Sequence, residues 1–241
     1  MKAIIPAAGH GTRFLPVTKV VPKEMLPIGS RPALELIVAE AKSAGADEIV
    51  MVISKGKELI REYFKDDSSI RFVYQHEQKG LGHAVLQAAG EFAGETGNVL
   101  VLLGDALVSG GNAAKELVAV SAANGGAAVI GLERVPREKV SRYGIVAMEE
   151  SGRITGMVEK PAPENAPSDL AVAGRYLLDV AIFDFLAGQR AGVGGEIQLT
   201  DAIVRMLDTT PVYGCVYSGR RQDIGNPQGY FKALEAFGEN S

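Results

Sequence analysis

The sequence predicts an α/β fold, with a mostly parallel mixed sheet and helices on both faces. Two observations predict it. Short apolar runs without polar alternation, such as Lys2-Ala3-Ile4-Ile5 and Glu48 to Ile53, are what strands buried on both faces require. Between such runs lie segments with apolar residues at helical spacing, so strand and helix alternate through the first half of the chain. That rhythm belongs to a doubly wound sheet.

Each element follows in order. Lys2 to Ile5 is the first strand, and a glycine loop ends it. Leu34, Ile37, Val38, Ala41 and Ala44 share one helical face, which Gly45-Ala46-Asp47 stops before the strand Glu48 to Ile53. A helix over Glu58 to Phe64, a strand over Arg71 to Tyr74, a helix over Gly82 to Ala93 and a strand over Val99 to Leu103 continue the beat. A helix (Ala113 to Ala123) and a strand (Ala127 to Leu132) extend it. Beyond Val135 the pattern changes. Tyr143 to Met148 and Ile154 to Val158 flank Glu149-Glu150-Ser151-Gly152, which predicts an antiparallel hairpin. Pro161, Pro163 and Pro167 then make an irregular connection to a strand over Ala171 to Leu178, with helices over Val180 to Ala187 and Gln198 to Met206. No linker separates domains, so residues 1–241 read as one domain. Within it, residues 1–135 carry the parallel sheet, and residues 136–241 carry the antiparallel portion and a C-terminal helix.

Composition narrows the partners. The 241 residues are 46% apolar and 22% charged, enough for a large core. The net charge of -4 offers no general attraction to nucleic acid or to an anionic membrane, so any polyanion must be held by local cations. Cys215 is the single cysteine, which excludes an intramolecular disulfide and a four-cysteine zinc site and fits a reducing cytoplasm. The opening MKAIIPAAGHG is broken by Pro6 and Gly9 and is too short for a signal peptide or a spanning helix. The expected setting is cytoplasmic. The 29 glycines follow no period, against collagen-like and solenoid readings.

In open sheets ligands collect beyond the carboxyl ends of the strands, and the chemistry-bearing residues fall there. The loop Ala7-Ala8-Gly9-His10-Gly11-Thr12-Arg13 follows the first strand, and its small residues let backbone amides approach a phosphate or a flat base. It matches neither a dinucleotide fingerprint nor a P-loop, so by itself it reads equally as a plain turn. Lys23, between Pro22 and Pro27, adds a point charge beside the fork donor Arg13, a pairing suited to a triphosphate. Asp105 follows a buried strand and faces the expected crevice, or caps the next helix. Asp223 lies among turn formers in Gln222-Asp223-Ile224-Gly225-Asn226. Gln75 ends a strand before Gly80-Leu81-Gly82 and offers donor and acceptor together. Glu159 and Lys160 read equally as an exposed pair, and Gly195-Glu196 as a helix opening. His10, His76 and His83 fall in no metal-ligand spacing.

Seven ordered landmarks go further: AAGHGTRFLPVTKVVPKEMLPI from Ala7, KGLGHAV from Lys79, LGD at Leu103, VEKP at Val158, VAGRYLL at Val172, GEIQLTDAI at Gly195 and DIGN at Asp223. In these the sequence resembles, nearly end to end, the sugar-1-phosphate nucleotidylyltransferases, most closely their bacterial branch that uses UTP and glucose 1-phosphate. The resemblance implies a Rossmann-like fold with a small antiparallel sugar-binding portion. It also implies a reaction in which the sugar phosphate attacks the α phosphorus of UTP in line, releasing pyrophosphate. Asp105 and Asp223 would hold Mg2+, a hard cation content with two carboxylates, waters and phosphate oxygens. Gln75, with Gly80, would read the base, and Ala7, Ala8, Gly9, Gly11, Thr12, Arg13 and Lys23 would take the rest of the nucleotide. Glu159 and Glu196 would accept from sugar hydroxyls and Lys160 would bind the sugar phosphate. Gly144 and Gly174 would let the sugar pack on backbone. Catalysis would rest on Arg13, Lys23, Asp105, Lys160 and Asp223, with no covalent intermediate, and no nucleophile elbow is present.

Two departures stand out. The segment before the base-reading strand is reduced to Lys65-Asp66-Asp67-Ser68-Ser69, where relatives carry subunit contacts, which bears on the homo-oligomer the resemblance implies. Ala106 stands where many relatives place a second acidic residue. Two other readings stay open: a thymidylyl-transferring enzyme, since one methyl group separates the bases, and a regulatory paralogue without chemistry, against which the presence of Arg13, Lys23, Asp105 and Asp223 argues.

Overall fold

Apolar runs and amphipathic segments become strands and helices in the order the sequence predicts. The computed structural model describes residues 1–238. In chain order its elements are β1 (Lys2–Pro6), β2 (Pro27–Ile28), β3 (Arg31–Pro32), α1 (Ala33–Ser43), β4 (Glu48–Ile53), α2 (Glu58–Tyr63), β5 (Ile70–Tyr74), α3 (Leu81–Gln87), β6 (Asn98–Leu102) and β7 (Ala106–Ser109). They continue with α4 (Ala113–Ala123), β8 (Ala128–Arg134), β9 (Gly144–Met148), β10 (Ile154–Glu159), β11 (Leu170–Asp179), α5 (Ile182–Leu186), α6 (Leu199–Met206), β12 (Val212–Val216), β13 (Arg220–Asp223) and α7 (Pro227–Gly238).

The central path of the main sheet runs β10-β9-β11-β6-β1-β4-β5, with β8 joining β11 and β12. Pairing is parallel among β6, β1, β4 and β5, while β11 runs antiparallel to β6, β8 and β9. The antiparallel portion is therefore continuous with the parallel one and shares its core. Successive residues of β1 point to opposite faces: Ala3 and Ile5 pack with α1, α4 and α7 through Leu34, Ile37, Leu117 and Ala233. Ile4 packs with α3, α5 and α6 through Val85, Ile182, Leu186 and Ile203. Each fully buried leucine, isoleucine or valine among them contributes roughly 1.5–3 kcal/mol.

Parallel strands end on one edge of the sheet, so the segments after β1, β4, β5 and β6 gather there: Ala7 to Gly11, Ser54 to Lys57, Gln75 to Gly80 and Leu103 to Asp105. A second feature completes that edge. Strands β7 and β13, distant in sequence, form a two-stranded antiparallel ribbon in which Ala106 faces Asp223.

Three expectations change. The helix predicted over 82–93 stops at Gln87 and a 3-10 turn, Ala89–Phe92, follows. Gly90 weakens the helix there, and Phe92 turns inward to lie 5.2 Å from the Phe183 ring. The helix predicted over 180–187 contracts to α5. Around Asp105 and Asp223, where a helix cap and a plain turn were the alternatives to a ligand-facing role, the chain instead enters one ribbon strand just after Asp105 and ends the other at Asp223. No described helix is long and apolar enough to cross a membrane.

Candidate functional site

At the end of β1 the chain cannot continue its ladder. The Ala7 amide still donates to the Val52 carbonyl (2.8 Å), but from Ala8 to Gly11 no backbone amide donates to an acceptor among the described residues. Gly11 adopts a left-handed φ of 65°, which turns the chain into the Thr12–Phe14 3-10 turn, and its carbonyl accepts from Thr18 Oγ1 at 2.9 Å. Consecutive free amides in such a loop form an anion cradle. The loop is fastened from below. The buried Lys57 ammonium donates to the Ala7 carbonyl (2.5 Å) and to Glu24 Oε2 (2.8 Å). Burial disfavours both charges, pushing Lys57 down and Glu24 up from their ordinary values despite their attraction.

Next to this pair lies Lys23, whose Nζ donates to Asp105 Oδ2 at 2.5 Å; the lysine side chain is 10% exposed and the aspartate 35%. Burial alone would lower the lysine, yet the Asp105 and Glu24 carboxylates outweigh it and hold Lys23 above its usual value. Burial alone would raise Asp105, and the Lys23 ammonium holds it below the usual carboxylate range.

Asp223 joins from the far end of the chain. Because β7 pairs with β13, and Ile224 N donates to the Asp105 carbonyl at 2.9 Å, the two aspartates become neighbours. A methyl group placed on Gly225 would lie 2.8 Å from Asp223 Oδ1, 3.2 Å from Asp105 Oδ2 and 3.8 Å from an Arg13 guanidinium nitrogen. Two carboxylates and an arginine therefore surround a single point. Two carboxylates brought this near suit a divalent cation that completes its shell with waters and phosphate oxygens, and the donor set fits magnesium. No cluster of three or more His, Cys, Asp or Glu side chains forms a closed metal site among the described residues.

Two cavities meet at Asp105. The first, about 330 Å3, is bounded by Ala8, Gly9 and His10 on one side and by Gln75, Gln78, Gly80 and Leu81 on the other, with Lys23, Glu24 and Leu103 between them. Gln75 is buried and its amide nitrogen donates to the Gly80 carbonyl (3.2 Å) and lies 3.0 Å from His83 Nδ1. The second cavity, about 220 Å3, holds Gly144, Glu159, Gly174, Thr200, Arg142, Arg221 and Asp223; Leu81, Leu103 and Asp105 are common to both. Glu159 Oε2 accepts from Thr200 Oγ1 (2.6 Å), and Lys160 Nζ lies 3.5 Å from Glu159 Oε1. Lys160 is the one non-glycine residue with positive φ among those described, 47°, a conformation uncommon for a lysine and of the kind that gathers at functional sites. Gly144 leaves room for the Glu159–Thr200 pair, since a Cβ there would meet both side-chain oxygens within 3.2 Å.

The structure sorts the predicted residues. Ala8, Gly9, Lys23, Gln75, Gly80 and Asp105 line the first cavity, and Gly144, Glu159, Gly174, Asp105 and Asp223 the second. Ala7 lies beneath the loop with its amide and carbonyl engaged, and Gly11 and Thr12 shape the loop outside the cavity wall. Arg13 stands beside the aspartate pair. Glu196 lies against Gly80 in the first cavity, its carboxylate accepting from Gln198, and is not among the residues lining the second beside Glu159.

Sequence reasoning passed over Lys57, Glu24, Arg175 and Arg221. Arg175, fully buried, pairs with Glu40 (2.7 Å) and donates to the carbonyl of Ala106, the residue after Asp105 (2.6 Å). Arg221 pairs with Glu133 (2.6 Å) and lies over the Tyr143 ring at 4.6 Å. Arg175 stood inside the VAGRYLL landmark, where an arginine in an otherwise apolar strand was the available signal.

Comparison with known proteins identifies the family. A family model described as nucleotidyl transferase matches residues 2–240. The UTP–glucose-1-phosphate uridylyltransferase of Staphylococcus haemolyticus is 44% identical, with 96% of this chain and 90% of the relative covered. That alignment spans 261 positions, more than the 241 residues of the chain, so the relative carries segments absent here. Among solved structures, a UDP-glucose pyrophosphorylase complexed with UDP-glucose superposes with a TM-score of 0.92 at 34% identity, covering 100% of this chain and 99% of that one. A UTP-bound UGPase from Acinetobacter baumannii gives 0.86 at 34% identity, covering 100% and 94%.

Proposed function

Since the chain belongs to the nucleotidyl transferase family, we propose that it forms UDP-glucose and pyrophosphate from UTP and glucose 1-phosphate. The observation that carries this reading is the meeting of Asp105 and Asp223 at the junction of two cavities, one flanked by free loop amides and a buried glutamine, the other by Glu159 and Thr200.

The chain's own residues divide the work. Gln75 and the Gly80 backbone hold the uracil edge, and the amides of Ala8 to Gly11 cradle the phosphates. Glu159, oriented by Thr200, accepts from sugar hydroxyls, and Lys160 takes the sugar phosphate. The main problem is electrostatic, because two anions must approach within bonding distance, each close like-charge pair costing about 4 kcal/mol at an intermediate dielectric. Lys23, Arg13 and Lys160 offset that repulsion, and Lys23 and Arg13 stabilise the charge developing on the leaving pyrophosphate. The attacking oxygen is already ionised, so no general base is required. Asp105 and Asp223 would hold magnesium, which when bound neutralises charge on the α phosphate. In this reading residues 1–135 serve mainly the nucleotide and residues 136–241 mainly the sugar. The substrates are small molecules, with no nucleic acid or membrane, in the cytoplasm. The same reading includes assembly into a homo-oligomer.

Pyrophosphate release measured with UTP, dTTP and the other nucleoside triphosphates, each against glucose 1-phosphate and galactose 1-phosphate, with and without magnesium, tests the reading. Release with UTP, glucose 1-phosphate and magnesium is expected. Release with no pair, while UTP still binds, would overturn it in favour of a regulatory role, and preference for dTTP would reassign the base.

A further inference from the structure

Among the described residues Arg175 is the only buried arginine, and the fold is shaped to admit it. The pairing of β11 with β8 slips between Val172 and Tyr176, and Gly174, inside that slip, takes a left-handed φ of 78°. A bulge of this kind re-aims the side chains beside it. On the neighbouring strand a Cβ at Gly131 would lie 3.1 Å from Arg175 Cβ, so the approach of the two strands leaves little room there for a side chain. The guanidinium makes four hydrogen bonds. Two go to the carboxylate oxygens of Glu40 on α1 (3.0 and 2.7 Å), one to the Gly174 carbonyl (3.1 Å) and one to the Ala106 carbonyl (2.6 Å).

Those two carbonyls bracket the turn that carries Asp105. The Gly174 carbonyl also accepts from the Leu103 amide (3.0 Å), while the Gly104 amide donates to the Pro6 carbonyl (3.1 Å) and the Ile224 amide to the Asp105 carbonyl (2.9 Å). Glu40 reaches further, accepting from the Ala114 amide in the first turn of α4 (3.2 Å), so one buried ion pair holds the chain both before and after β7. Stability alone does not call for such a pair, because desolvation offsets most of its attraction and apolar side chains of similar volume often serve as well. We propose that Arg175, oriented by Glu40, is a positioning residue of the reaction: it fixes the backbone on either side of Asp105 so that this carboxylate meets Asp223 and Lys23 where the two cavities join. The proposal rests on the reaction proposed above, and it adds a residue that lines neither cavity. A lysine would keep the charge but not the planar fork, and its single nitrogen could not serve a carboxylate and two carbonyls in that arrangement.

Amide hydrogen exchange in the full chain, without substrate or metal, reads the anchoring directly. In wild type the amides of Leu103, Gly104 and Ile224 are expected to exchange as slowly as those of β1, and exchange at the rate of an open loop overturns the proposal. In Arg175→Lys these three amides should speed up roughly tenfold or more relative to those of β4 and β5, the effect of losing a hydrogen bond from a charged donor. Equal acceleration everywhere would make the arginine a general stabiliser and overturns the proposal. In the same variant kcat should fall about 10- to 100-fold, with the KM for UTP and for glucose 1-phosphate little changed and more magnesium needed for half-maximal activity. The double variant Glu40→Leu with Arg175→Met removes both charges together and should unfold in urea near the wild-type midpoint while keeping the lowered kcat. Full turnover in either variant overturns the proposal. Wild-type chain that transfers no nucleotide, yet shows slow exchange at the three amides and its selective loss in Arg175→Lys, overturns the proposed reaction instead and leaves the anchoring of Asp105 standing.

Discussion

Lys23 is central to the proposed site, because its ammonium donates to Asp105, where the two cavities meet, and lines the nucleotide cavity. Replacing it with alanine should lower kcat by roughly a hundredfold to a thousandfold, the usual loss of one preorganised donor at a developing charge, and steady-state kinetics showing normal turnover would refute its role. The pair also sets a pH response. Asp105 is held below 3.8, so its contribution to stability is complete above that value and lost as pH falls through the depressed one. Lys23 is held above 10.5, so its contribution is complete below 10.5 and lost as pH rises through the raised value. Urea unfolding should accordingly show the stability gap between wild type and Asp105→Asn narrowing below pH 3.8. Behind Lys23, Lys57 is a different case: Lys57→Met leaves Glu24 buried and unpaired and should cost about 3–5 kcal/mol, whereas Glu24→Leu with Lys57→Met should regain most of the stability. Turnover should remain low in that double variant, because the Ala7 carbonyl still lacks its donor and the loop loses its anchor; full recovery of both would make the pair merely structural. Lysines look alike in a sequence. Lys23 was legible because Pro22, Pro27 and the glycine loop set it apart, while Lys57, in Lys55-Gly56-Lys57, carried no mark of the burial that gives it its role.

Between residues and fold, the ribbon of β7 and β13 is the element that brings two distant carboxylates together at the proposed magnesium site. Its closeness can be probed at Gly225, where an added methyl group would sit 2.8 Å from Asp223 Oδ1 and 3.2 Å from Asp105 Oδ2. Gly225→Ala should push the carboxylates apart and raise the magnesium concentration needed for half-maximal activity by about 10- to 100-fold, as other disturbances around metal ligands do. An unchanged magnesium titration would show that the aspartates do not act together. The same element explains what the sequence could not reveal. Helix α1 was legible from the spacing of Leu34, Ile37, Val38 and Ala41, all of which are buried, because periodicity is a local signal. Ala106–Ser109 and Arg220–Asp223 are four residues each, and their pairing joins segments more than a hundred positions apart, so local pattern left a crevice-facing carboxylate or a cap at Asp105 and a turn at Asp223, and no sign of the ribbon. Glu196 illustrates the same limit in reverse: its motif was plain, but the cavity it lines depends on the docking of Ile197 against Lys79 and Gly82.

At the scale of the whole molecule, an acidic chain must gather anions at one edge of its sheet, and it does so with cations of unequal burial. Lys23 is almost enclosed, whereas the Lys160 side chain is 42% exposed and Arg13 stands open to solvent. Salt discriminates between them. The screening length falls from about 10 Å at about 0.1 M to about 3 Å at about 1 M, and it acts on exposed charges far more than on enclosed ones. Capture of the substrates relies on the exposed cations and on long-range attraction, so raising the salt should raise the KM for UTP and for glucose 1-phosphate. In the proposed reaction the chemical step relies most on Lys23, whose side chain is 10% exposed, so kcat should change far less. Initial-rate measurements across that salt range, with magnesium held in excess, separate the two effects. A kcat that falls as steeply as KM rises would mean that the exposed Arg13 and Lys160, rather than the enclosed Lys23, carry most of the charge stabilisation in the chemical step.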